Sequence, residues 1–439
     1  MRQLPSARKE RLAALEEEQD EAQAALSRLS ADFRAQRDKE RPTPDALAKA
    51  LPEGTVLVVY LFHGSHLSAF VHRRGQKPVR ISLGPAAPIL EAVREWRPLL
   101  SGRKPGGKFG ARLKKLVLDP LEKHLEGCKV LLVSPDGLLG TVPFAALPGK
   151  KPGSYLIEDM PVAAVPVPAA IPDLMKPVKP EDRLKPALLA VGDLRYDPGG
   201  KAAPRVGPGS RAVPRSGRER FGRLPATRDE VLSVRGAFAD LFEGGESKLL
   251  RDGEATKAAV LAELPKARYA HFATHGFFVP EPKGEWHPLL LSGVALSDAN
   301  RLPKEGEEDG ILTALEVSEM DLTKLELAVL SACETGLGKV AGGEGVLGMQ
   351  RAFQAAGACS VIASLWKVDD KATQQLMQEF YAAAWDTRKV VSRAEALRAA
   401  QLSMLRDGVR RGIGREAKIE GDRLPPYWWG AFVLSGDWR

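Results

Sequence analysis

Two stretches decide the fold of this 439-residue chain: residues 267–276, ARYAHFATHG, and residues 325–336, LELAVLSACETG. Each is a short apolar run that ends in polar residues and glycine, a pattern typical of a buried strand. Residues 358–366, ACSVIASLW, repeat the pattern, and a helical sequence at 343–357 precedes them. Strands that alternate with helices predict an α/β fold with a mainly parallel sheet covered on both faces.

Composition divides the chain into three expected segments. We predict an N-terminal helical segment at 1–45, one α/β unit at 46–180 and a second at 181–439. The boundary is placed in the proline-rich stretch 165–186, which is typical of a semi-extended linker. The N-terminal helix, expected at about 5–39, carries a sparse apolar stripe. It either docks on the body of the protein or offers a surface to a regulatory protein partner.

The overall composition indicates a globular protein, with 44% hydrophobic and 27% charged residues. The charged N-terminus does not resemble a signal peptide, and no run approaches the roughly 20 apolar residues of a membrane helix. We therefore expect a soluble, cytoplasmic protein without a membrane partner. The three cysteines, Cys128, Cys333 and Cys359, do not indicate a disulfide framework.

The net charge of +8 is partly local to residues 201–223. This stretch holds one acid and the basic residues Lys201, Arg205, Arg211, Arg215, Arg218, Arg220 and Arg223. Neither an aromatic stacking platform nor a zinc finger accompanies them, so a nucleic-acid partner is not expected. A solvated basic loop is the favoured interpretation, and an anion- or nucleic-acid-binding loop is the alternative.

Candidate catalytic residues follow the two deciding strands, because sites in parallel sheets form at the carboxyl ends of the strands. The first strand runs into His275 and Gly276, and the second into Cys333. If these strands are neighbours, an imidazole can take the proton of a nucleophilic thiol at a shared rim. The N–H groups of Gly276 and Cys333 would then form an oxyanion hole. The alternatives are a structural histidine and a cysteine that only packs.

The sequence does not predict a metal or cofactor site. His271 and His275 are four residues apart, which on a strand separates them by about 13 Å. The glycines of residues 341–348, AGGEGVLG, lack the Lys-Ser or Lys-Thr of a phosphate-binding loop. Cys128 and Cys359 stand at expected strand starts, away from the rim, and are interpreted as packing residues.

Four motifs together resemble one known family, the CHAT domain, a group of caspase- and separase-related cysteine peptidases of clan CD. They are HFATHGFF at 271–278, LAVLSACETGLG at 327–338, the stretch 343–373 that begins GEGVLGMQRAFQAAG, and PPYWWGAFVLSGDW at 425–438. The resemblance covers residues 50–439. It implies a caspase-like α/β/α sandwich preceded by a degenerate caspase-like half. CHAT domains often follow helical repeats or sensor modules, whereas a single expected helix precedes this one.

The resemblance also implies an activity: a cysteine endopeptidase that cleaves a protein or peptide substrate in bacterial signalling or defence, with a His275–Cys333 dyad and Gly276 in the oxyanion hole. A non-catalytic scaffold that binds a protein partner, and a hydrolase of non-peptide esters or amides, are the alternatives. In the related separases an acid after a similar strand binds a basic P1 side chain. Asp369 and Asp370 are the candidates here, and capping of the following helix is their alternative role.

Overall fold

A computed structural model of the chain describes residues 43–103, 106–176, 185–197, 220–278, 288–301, 309–331, 344–366, 369–386, 388–389, 391–414 and 422–439. The predicted N-terminal helix at 5–39 and the predicted boundary near residue 180 lie outside the described residues, as do most of the basic stretch and Cys333. In the described part of the chain, no helix combines the length and the apolar character that a membrane span requires.

Fourteen strands are formed by the described residues: β1 Thr55–His63, β2 His66–Arg73, β3 Val79–Pro85, β4 Val130–Ser134, β5 Val162–Ala164, β6 Ala187–Leu194, β7 Glu246–Asp252, β8 Tyr269–Ala273, β9 Gly276–Phe278, β10 Ser292–Ala295, β11 Ile311–Thr313, β12 Leu327–Leu330, β13 Ser360–Ser364 and β14 Phe432–Gly436.

The described α-helices are α1 Pro44–Ala50, α2 Ala86–Ser101, α3 Gly107–Val117, α4 Leu156–Asp159, α5 Ile171–Leu174, α6 Ala226–Leu241, α7 Lys257–Glu263, α8 Ala314–Ser318, α9 Glu344–Ala355, α10 Asp370–Ala384 and α11 Arg393–Asp407. Short 3₁₀ turns occupy Asp119–His124, Gly137–Thr141, Phe144–Ala146, Pro168–Ala170, Leu264–Lys266, Pro288–Leu290 and Pro426–Trp428.

One eleven-stranded sheet runs through the molecule in the order β3-β2-β1-β4-β5-β14-β13-β12-β8-β6-β7. The β1–β2–β3 meander and the β13–β14 pair are antiparallel, and the other neighbours are parallel. The first five strands join the rest through a single register pair, Ser435 with Ala164. The sheet is therefore continuous between the two predicted α/β units, and their division into domains stays a prediction.

Helices cover both faces of this sheet. On β8, Tyr269 and His271 point to one face of the sheet. There the Tyr269 ring contacts Trp385, just after α10, and the His271 ring contacts Tyr381 within α10. Phe272 points to the opposite face and packs against Phe353 of α9, with ring centroids 6.1 Å apart. The side chains on both faces of β8 are thus buried, as expected for a central parallel strand. The predicted α/β fold with a mainly parallel sheet is confirmed.

Three local predictions from sequence were wrong or incomplete. The Pro-, Gly- and acid-containing sequence at about 279–309 predicts a loop, yet it contains β10, and the linker expected at 165–186 contains α5, whose Ile171 is fully buried. The sequence from Phe109 to Leu125 predicts one helix, but that helix ends at Val117 and a 3₁₀ turn follows it. Pro120 explains that break, because proline disfavours helical geometry in the residue before it.

Candidate functional site

The strands that carry the predicted dyad are neighbours in the sheet. β8 and β12 pair in parallel, with Phe272 opposite Leu330, so their carboxyl ends open on the same rim. On the far side of β12, Leu330 is level with Ala363 of β13. The rim therefore spans the ends of β8, β12 and β13, which is the region where the sequence predicts catalysis.

His275 is a buried side chain two residues beyond the end of β8, with 7% of its surface exposed. Its ring packs between the rings of Tyr196 and Phe221, whose centroids lie 5.2 and 5.5 Å away. Both aromatic residues are themselves buried. The imidazole therefore sits in a tightly packed aromatic pocket that restricts its rotation.

A main-chain carbonyl sets the tautomer of His275. Nε2 lies 2.6 Å from the carbonyl oxygen of Gly222. Because a carbonyl can only accept, Nε2 must carry the proton and donate it. In the neutral ring the other nitrogen, Nδ1, is then the basic atom.

Two successive hydrogen bonds hold the hydroxyl of Tyr196. Its hydroxyl lies 2.8 Å from Oγ1 of Thr274, and Thr274 donates to the carbonyl oxygen of Ala295 at 2.6 Å. Thr274 therefore accepts from Tyr196, whose pKa is raised by burial, so the phenol stays protonated. These two hydrogen bonds connect Thr274, the residue before His275, to β10 and to the aromatic pocket.

Gly276 begins β9, the edge strand of a small antiparallel sheet with the order β11-β10-β9. Gly276 is opposite Val294, and the next pair carries the ladder bond, from Ala295 N–H to the carbonyl oxygen of His275 at 2.8 Å. Gly276 therefore occupies a non-hydrogen-bonded position of the ladder, where the N–H is directed away from the partner strand. This geometry suits a donor that serves a ligand at the rim.

Cys333 lies outside the described residues, which stop after β12 at Ser331 and resume at Glu344. The other two cysteines are half-buried at strand starts, as predicted. Cys128 donates from Sγ to the carbonyl oxygen of Val130 at 3.2 Å, and burial raises its pKa to about 11. Burial likewise raises the pKa of Cys359. Both thiols are therefore poor nucleophiles at neutral pH.

Asp369 and Asp370 begin α10, three and four residues after Trp366. Asp369 is the N-cap of that helix, and its side chain accepts from the N–H of Ala372 at 3.1 Å. The capping role considered from sequence is thus observed for Asp369. Asp370 follows in the first turn and is exposed. Both residues follow the carboxyl end of β13 in sequence.

His271 belongs to a different, fully enclosed network four residues before His275. Its Nδ1 lies 3.0 Å from the hydroxyl of Tyr381 on α10, and its Nε2 lies 3.0 Å from Oε1 of Glu230 on α6. All three residues are at most 4% exposed. His271 therefore ties two helices to β8 inside the protein, whereas His275 stands at the rim.

Sequence reasoning missed the residues that hold His275. Tyr196, Phe221 and Gly222 lie 53 to 79 positions before it in the chain, and Gly222 acts through its main-chain carbonyl. A backbone acceptor leaves no residue-type signal. Tyr196 precedes the basic stretch and Phe221 lies near its end, and the fold brings the two rings together.

Among curated proteins, the chain is 27% identical over 311 residues to human tetratricopeptide repeat protein 28. The match covers 65% of this chain and 11% of the human protein, so the chain spans about a tenth of that relative's length.

Among solved structures, the Saccharomyces cerevisiae separase in its securin complex aligns with a TM-score of 0.46 and 11% identity. The alignment covers 90% of this chain and 31% of the separase chain. The Arg-specific cysteine proteinase gingipain R aligns with a TM-score of 0.41 and 9% identity over 80% of this chain and 74% of its own.

The family comparison covers most of the chain and includes every element of the rim. The CHAT domain model matches residues 107–437. That range holds β8, β12 and β13 with the described residues that surround His275. It also holds Cys333, and it confirms the resemblance found in the sequence motifs. The chain belongs to the CHAT domain family.

Proposed function

We propose that the chain is a cysteine endopeptidase with Cys333 as nucleophile and His275 as general base. The observation that carries the proposal is the register of β8 and β12. His275 is three residues beyond Phe272 and Cys333 three residues beyond Leu330, and Phe272 and Leu330 are partners. Adjacent strands lie about 4.8 Å apart. Equal offsets on adjacent parallel strands favour an encounter between imidazole and thiol.

The tautomer of His275 supports the role of base. With Nε2 donating to Gly222, Nδ1 is the nitrogen that takes a proton. Once Nδ1 is protonated, the Gly222 carbonyl still accepts from Nε2–H and stabilises the imidazolium. The residue thus has a partner in both charge states, which a general base and acid requires.

In the proposed reaction, Nδ1 of His275 accepts a proton and donates it again in each half of the cycle. Nδ1 of His275 takes the proton of the Cys333 thiol, and the thiolate attacks the peptide carbonyl carbon. The resulting oxyanion accepts from the N–H groups of Gly276 and Cys333. The C–N bond then breaks as Nδ1–H protonates the leaving amine. Water, deprotonated by the same nitrogen, hydrolyses the acyl-enzyme and regenerates the thiol.

A basic P1 residue is the proposed specificity. Trp366 is three residues beyond Ala363, as His275 is three residues beyond Phe272, and Ala363, Leu330 and Phe272 share one register line. β8 and β13 are two strand spacings apart, about 10 Å, a distance that a P1 side chain spans. Asp369, which also caps the helix, and Asp370, which is exposed in its first turn, are the two candidates to bind Arg or Lys.

Peptide turnover tests this function. Fluorogenic peptides that differ only in P1 (Arg, Lys, Asp or Leu) are assayed with wild type, Cys333→Ala and His275→Ala. Each substitution is expected to lower kcat/KM by about 1,000-fold or more, since dyad members act as a unit. Cys128→Ser and Cys359→Ser are the matched thiol controls and should retain turnover.

The same panel separates the alternatives. Asp370→Asn and Asp369→Asn each remove one charge, and Asp369→Asn retains a good N-cap. The variant that loses kcat/KM for the Arg and Lys peptides alone identifies the acid that binds P1. If the His275→Ala variant still turns over all of the peptides, the dyad is refuted. A folded wild type that turns over no peptide would favour the non-catalytic scaffold.

A further inference from the structure

The carbonyl that holds His275 belongs to a short strap, defined here as residues Arg220–Arg223. Ion pairs connect its two ends to the carboxyl end of β6 and to the turn that follows β6. Arg220 pairs with Asp197 at 2.6 Å, and Arg223 pairs with Asp193 at 3.3 Å. Both ion pairs involve arginines that are more than half exposed, so they contribute little by themselves. Something firmer must fix Gly222 within 2.6 Å of the imidazole.

Asn300 provides that firmer hold on the residue before Gly222. Its Oδ1 accepts from the N–H of Phe221 at 2.7 Å, and its Nδ2 donates to the carbonyl oxygen of Phe221 at 2.9 Å. Nδ2 also donates to Asp197 at 3.0 Å. One amide thus satisfies both backbone groups of Phe221 and ties them to the acid that pairs with Arg220.

Asn300 is itself anchored by its main chain. Its N–H donates to the carbonyl oxygen of Tyr196 at 2.9 Å, so the residue bridges both aromatic neighbours of His275. Only an Asn or Gln side chain offers one donor group and one acceptor side by side, and Gln would reach one methylene too far.

We propose that Asn300 is a positioning residue of the base: by clamping the backbone of Phe221, it holds the Gly222 carbonyl on Nε2 of His275 and directs Nδ1 towards the thiol. This inference rests on the proposed function of His275. Asn300 touches neither substrate nor thiol in this scheme. It acts through Phe221 and Gly222.

Loss of the Asn300 clamp should change the pH at which the Cys333 thiolate forms, an effect that simple destabilisation would not produce. The Gly222 carbonyl accepts from Nε2–H and so favours the charged imidazolium, which in turn favours the Cys333 thiolate. Without it the imidazolium loses a partner and the thiolate forms at higher pH. A displaced base also slows the reaction, by about 100-fold for a 1 Å error.

The experiment is the pH profile of Cys333 alkylation by iodoacetamide, read by peptide mass spectrometry. Wild type is compared with Asn300→Ala, Asn300→Asp and His275→Ala. Asp321→Ala is the matched control, because Asp321 makes the same kind of side-chain clamp on Thr323 N–H before β12, on the opposite rim. Asn300→Ala should shift the profile to higher pH and lower the turnover of the best peptide by about 100-fold. Asn300→Asp places a carboxylate oxygen against Asp197 and the Phe221 carbonyl, so it should shift the profile at least as far, and Asp321→Ala should match wild type.

The outcomes distinguish this inference from the function it rests on. A wild-type profile that His275→Ala leaves unchanged overturns the dyad and the inference with it. A profile that depends on His275 but is the same in folded Asn300→Ala overturns the inference alone. If neither Asn300 variant folds, ¹⁵N NMR of the wild-type His275 ring decides. A proton on Nε2 supports the clamp, and a neutral ring protonated on Nδ1 refutes it.

Discussion

The Glu230–His271–Tyr381 network should make a measurable contribution to stability, and Tyr381→Phe isolates one of its bonds. An ionised carboxylate only accepts, so Nε2 of His271 donates to Glu230 and Nδ1 accepts from the Tyr381 hydroxyl. All three side chains therefore have hydrogen-bond partners. The substitution removes the hydroxyl and leaves Nδ1 as a buried acceptor without a partner.

The expected cost follows from that orphaned acceptor. The phenyl ring of the variant still packs on Trp385, whose ring centroid lies 4.2 Å away, so no large cavity forms. The remaining penalty is that of an unsatisfied buried polar atom, about 1–3 kcal/mol in the free energy of unfolding. Urea denaturation at pH 7.5, followed by tryptophan fluorescence, measures it.

Tyr269→Phe is the matched control, on the same strand and against the same Trp385 ring. Among the described residues, the Tyr269 hydroxyl takes part in no hydrogen bond. Its loss should change the unfolding free energy by no more than about 0.5 kcal/mol. If Tyr381→Phe costs no more than Tyr269→Phe, the hydrogen bond to His271 does not stabilise the fold and the reasoning fails.

Three further predictions concern reactivity, pH and capping. Iodoacetamide at pH 7.5 should modify Cys333 and spare Cys128 and Cys359, whose raised pKa values leave little thiolate; equal labelling of all three by mass spectrometry would contradict this. Burial lowers the pKa of His72, so the unfolded chain binds a proton more readily than the folded protein, and the free energy of unfolding should fall as the pH drops below about 6.5. In urea titrations at pH 7.5 and 5.5, His72→Phe should reduce this difference in unfolding free energy. An unchanged difference would contradict the prediction. Asp369→Ala should cost about 1 kcal/mol of unfolding free energy and Asp369→Asn much less, and equal losses would rule out the cap.

Much of the architecture could be predicted from hydrophobic patterning. The runs at 267–276, 325–336 and 358–366 contain β8, β12 and β13, because buried parallel strands need continuous apolar sequence. β10 could not be found that way. Its four residues, Ser292–Ala295, are short, include glycine and stand in a sequence rich in turn formers. Its partners are fixed by the fold rather than by its own propensity.

The site divides along the same line. His275 and Gly276 are visible in sequence because side-chain chemistry and a glycine follow a strand. The Gly222 carbonyl and the Asn300 clamp are not visible, because one is main chain and the other is a single polar residue in a turn. Glu230 is a similar case, since an acid in the first turns of α6 is typical of solvent-exposed positions, yet it is 4% exposed against His271.

The most direct test of the account is a crystal structure of the chain with Cys333 alkylated by an Arg-terminated peptide chloromethyl ketone. The account predicts a covalent bond at Sγ of Cys333, Nδ1 of His275 within about 4 Å of that sulfur, and Nε2 on the Gly222 carbonyl. A sulfur that stays unmodified, or an imidazole that presents Nε2 to it, would contradict the central claim.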